Sequence, residues 1–276
     1  MWVALFTVDR TKCKRDGVCV AECPAYIMRM KSKDDFPSPV AGAEAMCINC
    51  GHCVSVCPHG AISLEKMKTE ECLPVQKERL PGPDQVQHFL MSRRSIRSYK
   101  DQAVDRAVMT RLIDMAGYAP SGHNVQPVNW LVIEDRGEVR RLSGLVIDWM
   151  RYMLEHNPHL ALPSHFDNVV ASWERGKDRI CRDAPHVVVA HAAKAVRTAP
   201  ADCIIALAYL ELAAFSVGLG SCWAGFFGAA AADYPPLVKA LDLPEGHQVF
   251  GALMIGYPRH QYHRIPLRNK PAIMWR

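Results

Sequence analysis

The stretch CINCGHCVSVCP, from Cys47 to Pro58, has four cysteines in the spacing C-x2-C-x2-C-x3-C and ends in proline. This is the spacing of bacterial iron-sulfur proteins, in which three close thiolates hold one cubane and the fourth reaches a neighbouring cluster. An earlier stretch, CKRDGVCVAECP from Cys13 to Pro24, has the same register, with Asp16 in place of one cysteine. The two stretches, offset by 34 residues (47 minus 13), indicate a repeat that holds two clusters.

Because the fourth cysteine of each run binds the cluster held mainly by the other run, the ligands divide into two sets. Cys47, Cys50, Cys53 and Cys23 are predicted to hold one [4Fe-4S] cluster, and Cys13, Cys19, Cys57 and optionally Asp16 the other. Oxygen is a harder ligand for iron than sulfur, so the second cluster is either [4Fe-4S] with a labile iron or [3Fe-4S]. Two alternatives remain open: Asp16 is a solvated loop acid, or the runs bind zinc, which C-x2-C also suits.

This pattern resembles the two-cluster ferredoxins over roughly residues 1–66, and some ferredoxins carry an aspartate ligand at the position of Asp16. Short apolar segments flank the cysteine runs, as the strands of hairpins do. The predicted strands are WVALFTV (2–8), AYIMRM (25–30) and AISLE (61–65).

The composition of the 276 residues, 49% hydrophobic and 22% charged, is typical of a globular protein. A formal net charge of +5 without a long basic run disfavours nucleic acid as a partner. The start of the chain shows no export signal. Eleven cysteines are then expected to be reduced or to bind metal in the cytoplasm.

The longest apolar region, residues 203–227, is predicted to be a buried core helix rather than a membrane span. Glu211 lies within it, GLGSCWAG interrupts it, and no cluster of Lys or Arg flanks it.

Three prolines and a glycine in LPVQKERLPGPD, residues 73–84, indicate a linker between domains. We therefore predict an iron-sulfur domain over 1–70, a linker over 71–84 and a larger domain over 85–276. In the larger domain, apolar runs predict strands at 129–135, 186–192 and 248–258, and helical spacing predicts helices at 137–156, 165–178 and 201–217. The fold class is α+β.

Four segments of the larger domain carry a further pattern: RRSIRSY (93–99), APSGHNVQP (119–127), GLGSCWAGFF (218–227) and YHRIPLR (262–268). Guanidinium groups and a hydroxyl in the first segment match phosphate oxygens in charge and geometry. In this order the segments resemble the nitroreductase family of flavoproteins, in the subgroup with an N-terminal ferredoxin domain. Val128 departs from the aromatic residue that the family often has there.

The resemblance implies a mixed sheet flanked by helices, a homodimer with flavin sites built from both chains, and FMN as the cofactor. The residues that it assigns to FMN are Arg93, Arg94, Ser95, Arg97, Pro120, Ser121, Gly122, Asn124, Gln126, Cys222, Trp223, Ala224, Gly225, Arg264 and Arg268.

The predicted function is an FMN-dependent oxidoreductase that receives electrons through its clusters and reduces a small electrophile such as a nitroaromatic or a quinone. Reduced ferredoxin or NAD(P)H is the donor. Two alternatives remain: an electron-transfer module that serves a protein partner, and a non-reductive flavin reaction. Because the flavin carries the chemistry, we predict no catalytic side chain, and His123 and His191 are expected to be structural or surface residues.

Overall fold

The computed structural model describes residues 5–276, so residues 2–4 of the first predicted strand lie outside it. The chain forms two compact units. One comprises the described residues up to Leu80 together with His123–Val125, and the other comprises Pro81–Gly122 and Gln126–Arg276. The division after Leu80 falls inside the segment that we predict to be a linker.

The first unit contains two small antiparallel pairs of strands, β1 with β4 and β2 with β3. Each of the three predicted segments contains one of the strands β1, β2 and β4, whereas β3 was not foreseen. The elements are β1 Phe6–Val8, α1 Val18–Ala21, β2 Met28–Arg29, β3 Ser38–Pro39, α2 Ala43–Met46, α3 His52–Val56 and β4 Ile62–Leu64.

Gly17 and Gly51 show that the repeat in the sequence is also a repeat of the backbone. Both have φ 73° and ψ 2°, and each directly precedes a short helix, α1 or α3. This left-handed conformation favours glycine because a Cβ would clash with the backbone. A Cβ at Gly17 would lie 3.6 Å from the sulfur of Met30, and one at Gly51 would lie 2.6 Å from the sulfur of Met67.

The second unit is built on a four-stranded sheet in the order β5-β6-β8-β7, in which all three neighbouring pairs are antiparallel. A single parallel bridge between Ser95 and Ser221 places the segment RRSIRSY (93–99), here called the first arginine segment, beside the edge strand β7, and it is the parallel pairing that the structure describes for this sheet. The strands are β5 Asn129–Ile133, β6 His186–Ala193, β7 Gly220–Trp223 and β8 His247–Gly256.

Helices cover both faces of this sheet. Val187 and Val189 of the central strand β6 pack into a core with α6, α8, α10 and α11, whereas Val188 and Ala190 pack into a second core with α5 and α9. Burial on both faces explains why β6 reads as a continuous apolar run. The helices are α4 Pro83–Ser92, α5 Arg106–Ala116, α6 Arg136–His156, α7 Pro158–Ala161, α8 Phe166–Glu174, α9 Ala199–Ser216, α10 Gly225–Asp233 and α11 Pro235–Leu241.

Helix α9 is long and apolar enough to cross a membrane by length and composition alone, a property that core helices of soluble proteins share. One face packs on β6 and β8, and Leu207 and Leu210 are fully buried there. The opposite face leaves Ile204 43% and Tyr209 42% exposed. One face of this helix is therefore buried in the chain, and the other face is exposed.

Candidate functional site

Four cysteines of the first unit line one cavity: Cys47, Cys50 and Cys53 from the second run, and Cys23 from the first. The first run thus contributes one thiol to the neighbourhood of the second. This is the grouping that the crossing of the fourth cysteine predicts.

The other set gathers around Cys19. Burial raises the pKa of the Cys19 thiol to about 11, and the negative charges of Cys57, Asp16 and Cys13 raise it further. Burial likewise raises the pKa of Cys53 to about 11, with contributions from the charges of neighbouring thiols. Without iron these thiols stay protonated at neutral pH, whereas a bound cluster stabilises their thiolate forms.

The geometry of these cysteines differs from that of a single-ion site. Among residues 5–276, no three His, Cys, Asp or Glu side chains converge closely enough to hold one metal ion. A cubane cluster instead distributes its four thiolates over four irons.

Asp16 lies at the edge of the set around Cys19. Its Oδ1 accepts a hydrogen bond from the backbone N of Val18 at 3.2 Å, and its Oδ2 lies 4.0 Å from Nε2 of His59. The carboxylate is 37% exposed. It is close enough to Cys19 for its charge to act on that thiol, and a ligand role for Asp16 stays a prediction.

In the second unit, a cavity of about 540 Å³ lies beside the first arginine segment. Its volume falls in the range of roughly 300 to 1,000 Å³ typical of ligand sites. Among the described residues, four cationic side chains and no carboxylate line this cavity, which we call the cationic cavity. Two of them, Arg93 and Arg94, were predicted from the sequence; Lys100 and Arg259 were not.

The cations of this cavity differ in their partners. Arg93 forms an ion pair with Glu211 at 3.0 Å between Nη1 and Oε1. Arg94, Lys100 and Arg259 form no ion pair with any residue in the described part of the chain. Three uncompensated cations around one cavity make a site for an anion such as a phosphate group.

Arg97, the last arginine of the segment, does not line this cavity. Its charge acts on Cys222 of β7, as does that of Arg182, a residue that the sequence analysis did not select. Burial raises the pKa of Cys222, and these two guanidinium groups oppose that rise. Arg97, Arg182 and Cys222 therefore form a second electropositive neighbourhood.

The second predicted flavin segment borders another cavity, of about 170 Å³, to which Pro120, Ser121 and Gln126 contribute. The backbone N of Gly122 donates to Oδ1 of Asp202 at 3.0 Å. Asp202 is 3% exposed and also lines the cavity.

The backbone of this segment is strained. His123, Asn124 and Gln126 have φ values of 51°, 55° and 50°. Left-handed non-glycine residues cost energy and concentrate at functional sites.

The remaining predicted residues fall into two groups. Cys222 and Trp223 end β7, and Ala224 and Gly225 lead into α10; a Cβ at Gly225 would meet no atom within 4 Å. Arg264 and Arg268 are exposed in the tail after β8 and do not line the cationic cavity. Their predicted contact with a phosphate stays a prediction.

His191 is a buried residue of β6 whose Nδ1 lies 3.0 Å from Nδ1 of His247. Burial and the charge of His247 lower the pKa of His191, so its ring is neutral at physiological pH. This environment suits the structural role that we expect for it.

We predict that Gly220→Ala destabilises the second unit, because a Cβ there would lie 2.4 Å from Ile96 of the first arginine segment. Overpacking of this kind typically costs about 1 to 3 kcal/mol. Thermal unfolding should show a lower Tm for this variant. In the matched change Gly228→Ala the nearest atom is 4.0 Å away, and the added methyl group should stabilise α10 by roughly 0.5 to 1 kcal/mol. Equal Tm values for the two variants would contradict the close packing at Gly220.

Comparison with known proteins identifies both units. The pattern of the nitroreductase family matches residues 90–257, which is 168 of the 276 residues. The chain belongs to the nitroreductase family. Residues 11–62 of this nitroreductase-family protein match a 4Fe-4S dicluster domain. The predicted family and the N-terminal ferredoxin domain are confirmed, and the protein is an oxidoreductase of this family.

Two known proteins are similar to parts of the chain. The chain is 26% identical over 193 residues to an FMN reductase [NAD(P)H] of Bacillus subtilis. This match covers 69% of the chain and 72% of the relative. The chain is 32% identical over 65 residues to NADH-quinone oxidoreductase subunit I of Pelobacter propionicus, over 21% of this chain and 35% of the relative.

A solved structure shows the same fold as the second unit. The nitroreductase with bound FMN from Bacteroides fragilis is 22% identical, with a TM-score of 0.56 over 69% of this chain and 98% of that one. The predicted α+β nitroreductase-like fold is confirmed.

Proposed function

We propose that this protein is an FMN-dependent oxidoreductase that takes up electrons through two iron-sulfur clusters and reduces a small electrophile such as a nitroaromatic or a quinone. One observation carries the proposal: a cavity with four cations and no carboxylate lies beside the arginine segment of a nitroreductase-family domain, in a chain that also groups two sets of cysteines. FMN brings a phosphate group that such a cavity suits, and the structure from Bacteroides fragilis contains FMN.

The residues of this chain bind and orient the cofactor. Arg94, Lys100 and Arg259 supply the charge for the phosphate, and Arg93 supplies N–H donors from a fixed position. FMN supplies hydride or single-electron transfer when bound. At Gly225 the backbone leaves room for close approach, because an added Cβ would meet no atom within 4 Å.

The cysteine sets support electron entry by way of the clusters. Clusters with four thiolate ligands can have reduction potentials well below that of a flavin, so electrons would run downhill from cluster to FMN. The backbone N of Ala61 lies 3.3 Å from Sγ of Cys57, and hydrogen bonds to cluster sulfurs tune the potential. A reduced ferredoxin is the donor that matches this route, and NAD(P)H is the second candidate.

The decisive experiment is anaerobic purification with counts of iron, sulfide and flavin, followed by mixing with reduced ferredoxin or with NAD(P)H. We expect one FMN per chain, bleaching of its absorbance by ferredoxin, and then turnover of a nitroaromatic or a quinone. A protein without flavin and iron contradicts the proposal. Reduction without any turnover of small acceptors favours the alternative, an electron-transfer module.

We also propose that the protein is a homodimer. The face of α9 that carries Ile204 and Tyr209 is exposed, and Leu267 and Trp275 of the tail are also exposed, by 98% and 86%. Soluble monomers rarely expose contiguous apolar surface of this kind. A second copy of the chain, with the same apolar face, would cover it.

Tyr209→Glu tests the dimer, because a carboxylate would have to be buried in the proposed interface at considerable cost. We expect light scattering after size exclusion to give a mass near that of one 30.8 kDa chain, whereas the parent protein gives about twice that. Leu160→Glu places the same charge on α7, at a leucine that is 55% exposed, and should leave the dimer intact. A dimeric Tyr209→Glu protein would exclude this face as the interface.

A further inference from the structure

Helix α9 carries a buried carboxylate at Glu211. Glu211 is 8% exposed and lies on the inner face of a helix in which most residues are apolar. A buried charge is costly unless it is paired and hydrogen-bonded. The residues that pair with Glu211 therefore indicate its role.

Three donors surround Glu211. Nη1 of Arg93 donates to Oε1 at 3.0 Å, Nε1 of Trp223 donates to Oε2 at 3.4 Å, and Oγ of Ser221 lies 3.5 Å from Oε1. Arg93 belongs to the first arginine segment, and the other two donors belong to β7. One carboxylate thus joins the two segments, which are also linked through the backbone N of Ile96 and the carbonyl of Ser221 at 2.8 Å.

We propose that Glu211 is a positioning residue for the cofactor site: it fixes the guanidinium of Arg93 at the wall of the cationic cavity and holds β7 in register beside it. This inference rests on the proposed binding of FMN. It assigns Arg93 the role of an oriented donor, and leaves the compensation of phosphate charge to Arg94, Lys100 and Arg259, which have no acidic partner among the described residues.

The proposed role depends on the planar shape of the Arg93 guanidinium. A guanidinium has five N–H donors in a rigid fork, so an ion pair that uses one of them leaves the others aimed in fixed directions. A lysine ammonium is a point charge on a flexible stem and cannot be oriented in this way. Orientation by Glu211, rather than charge alone, should then determine how much Arg93 contributes to binding.

The test is a double-mutant cycle on the whole chain. Flavin fluorescence measures the FMN dissociation constant of each variant, and thermal unfolding measures the Tm of each apoprotein. We expect Glu211→Gln and Arg93→Gln each to weaken FMN binding about tenfold, and the double variant to be no weaker than either one. Cys203→Ala, at a fully buried position of the same helix, controls for stability: it should lower the Tm without changing the dissociation constant.

Arg93→Lys provides a second test, one that does not depend on the folding of the Glu211 variant. It keeps the charge and loses the fork, so we expect it to weaken FMN binding nearly as much as Arg93→Gln. Binding by Arg93→Lys equal to that of the parent protein would overturn the inference, as would unchanged or tighter binding by Glu211→Gln. If the parent protein itself binds no FMN, it is the proposed function that fails.

Discussion

Cys53→Ala is expected to remove one of the two proposed clusters and to stop the proposed entry of electrons from reduced ferredoxin. Cys53 lies with Cys23, Cys47 and Cys50 around one cavity, and its loss leaves one iron of the predicted cubane without a thiolate, so we expect this cluster to be lost. Iron and sulfide per chain should fall by about half, since each [4Fe-4S] cluster accounts for four irons. Bleaching of the flavin by reduced ferredoxin should be lost, while photochemical reduction of the flavin persists.

Cys72→Ala is the matched control for this experiment. Cys72 is exposed and lies outside both cysteine runs, and its Sγ lies 3.4 Å from the carbonyl oxygen of Lys68. Iron content and the rate of flavin reduction should match those of the parent protein. If Cys53→Ala kept the full iron content, the ligand set predicted for this cluster would be wrong.

Arg94→Gln is expected to have the largest effect on the flavin. Arg94 lines the cationic cavity and has no acidic partner within residues 5–276, so its charge is available to a phosphate. Hydrogen bonds to charged groups contribute about 1.5 to 3 kcal/mol, which corresponds to a roughly ten- to hundredfold weaker affinity for FMN. Equilibrium titration of the apoprotein with FMN would measure the change.

Arg106→Gln controls for the loss of a positive charge elsewhere in the same unit. Arg106 is 82% exposed and pairs with Glu134 on the surface, away from the lining of the cavity. Its replacement should leave the affinity for FMN unchanged. If both variants bound FMN as the parent protein does, the phosphate would have to lie outside this cavity. A weaker salt dependence of FMN binding in Arg94→Gln than in the control would link the effect to charge.

Much of the fold can be read from local sequence patterns. The run HVVVAHA predicts the central strand because burial on both faces leaves no polar alternation, and β6 spans His186–Ala193. Helical spacing places α6 and α9 to within two residues of their ends. Short elements escape this reasoning. GSCW lies in the stretch GLGSCWAG, which is predicted only to interrupt an apolar helix, whereas it forms β7 because its partner β8 lies about thirty residues further along the chain.

By itself, the sequence determined the repeat of the cysteine runs, the order of the four segments that resemble the nitroreductase family and therefore the family, because each depends on residue types at short, fixed spacings. Only the tertiary structure decided which side chains meet. Lys100 and Arg259 line the same cavity as Arg94, and Glu211 forms an ion pair with Arg93, which is 118 residues away in the sequence. The physical reason is that such pairs depend on how strands and helices pack, and the spacing of residues along the chain carries no record of that packing.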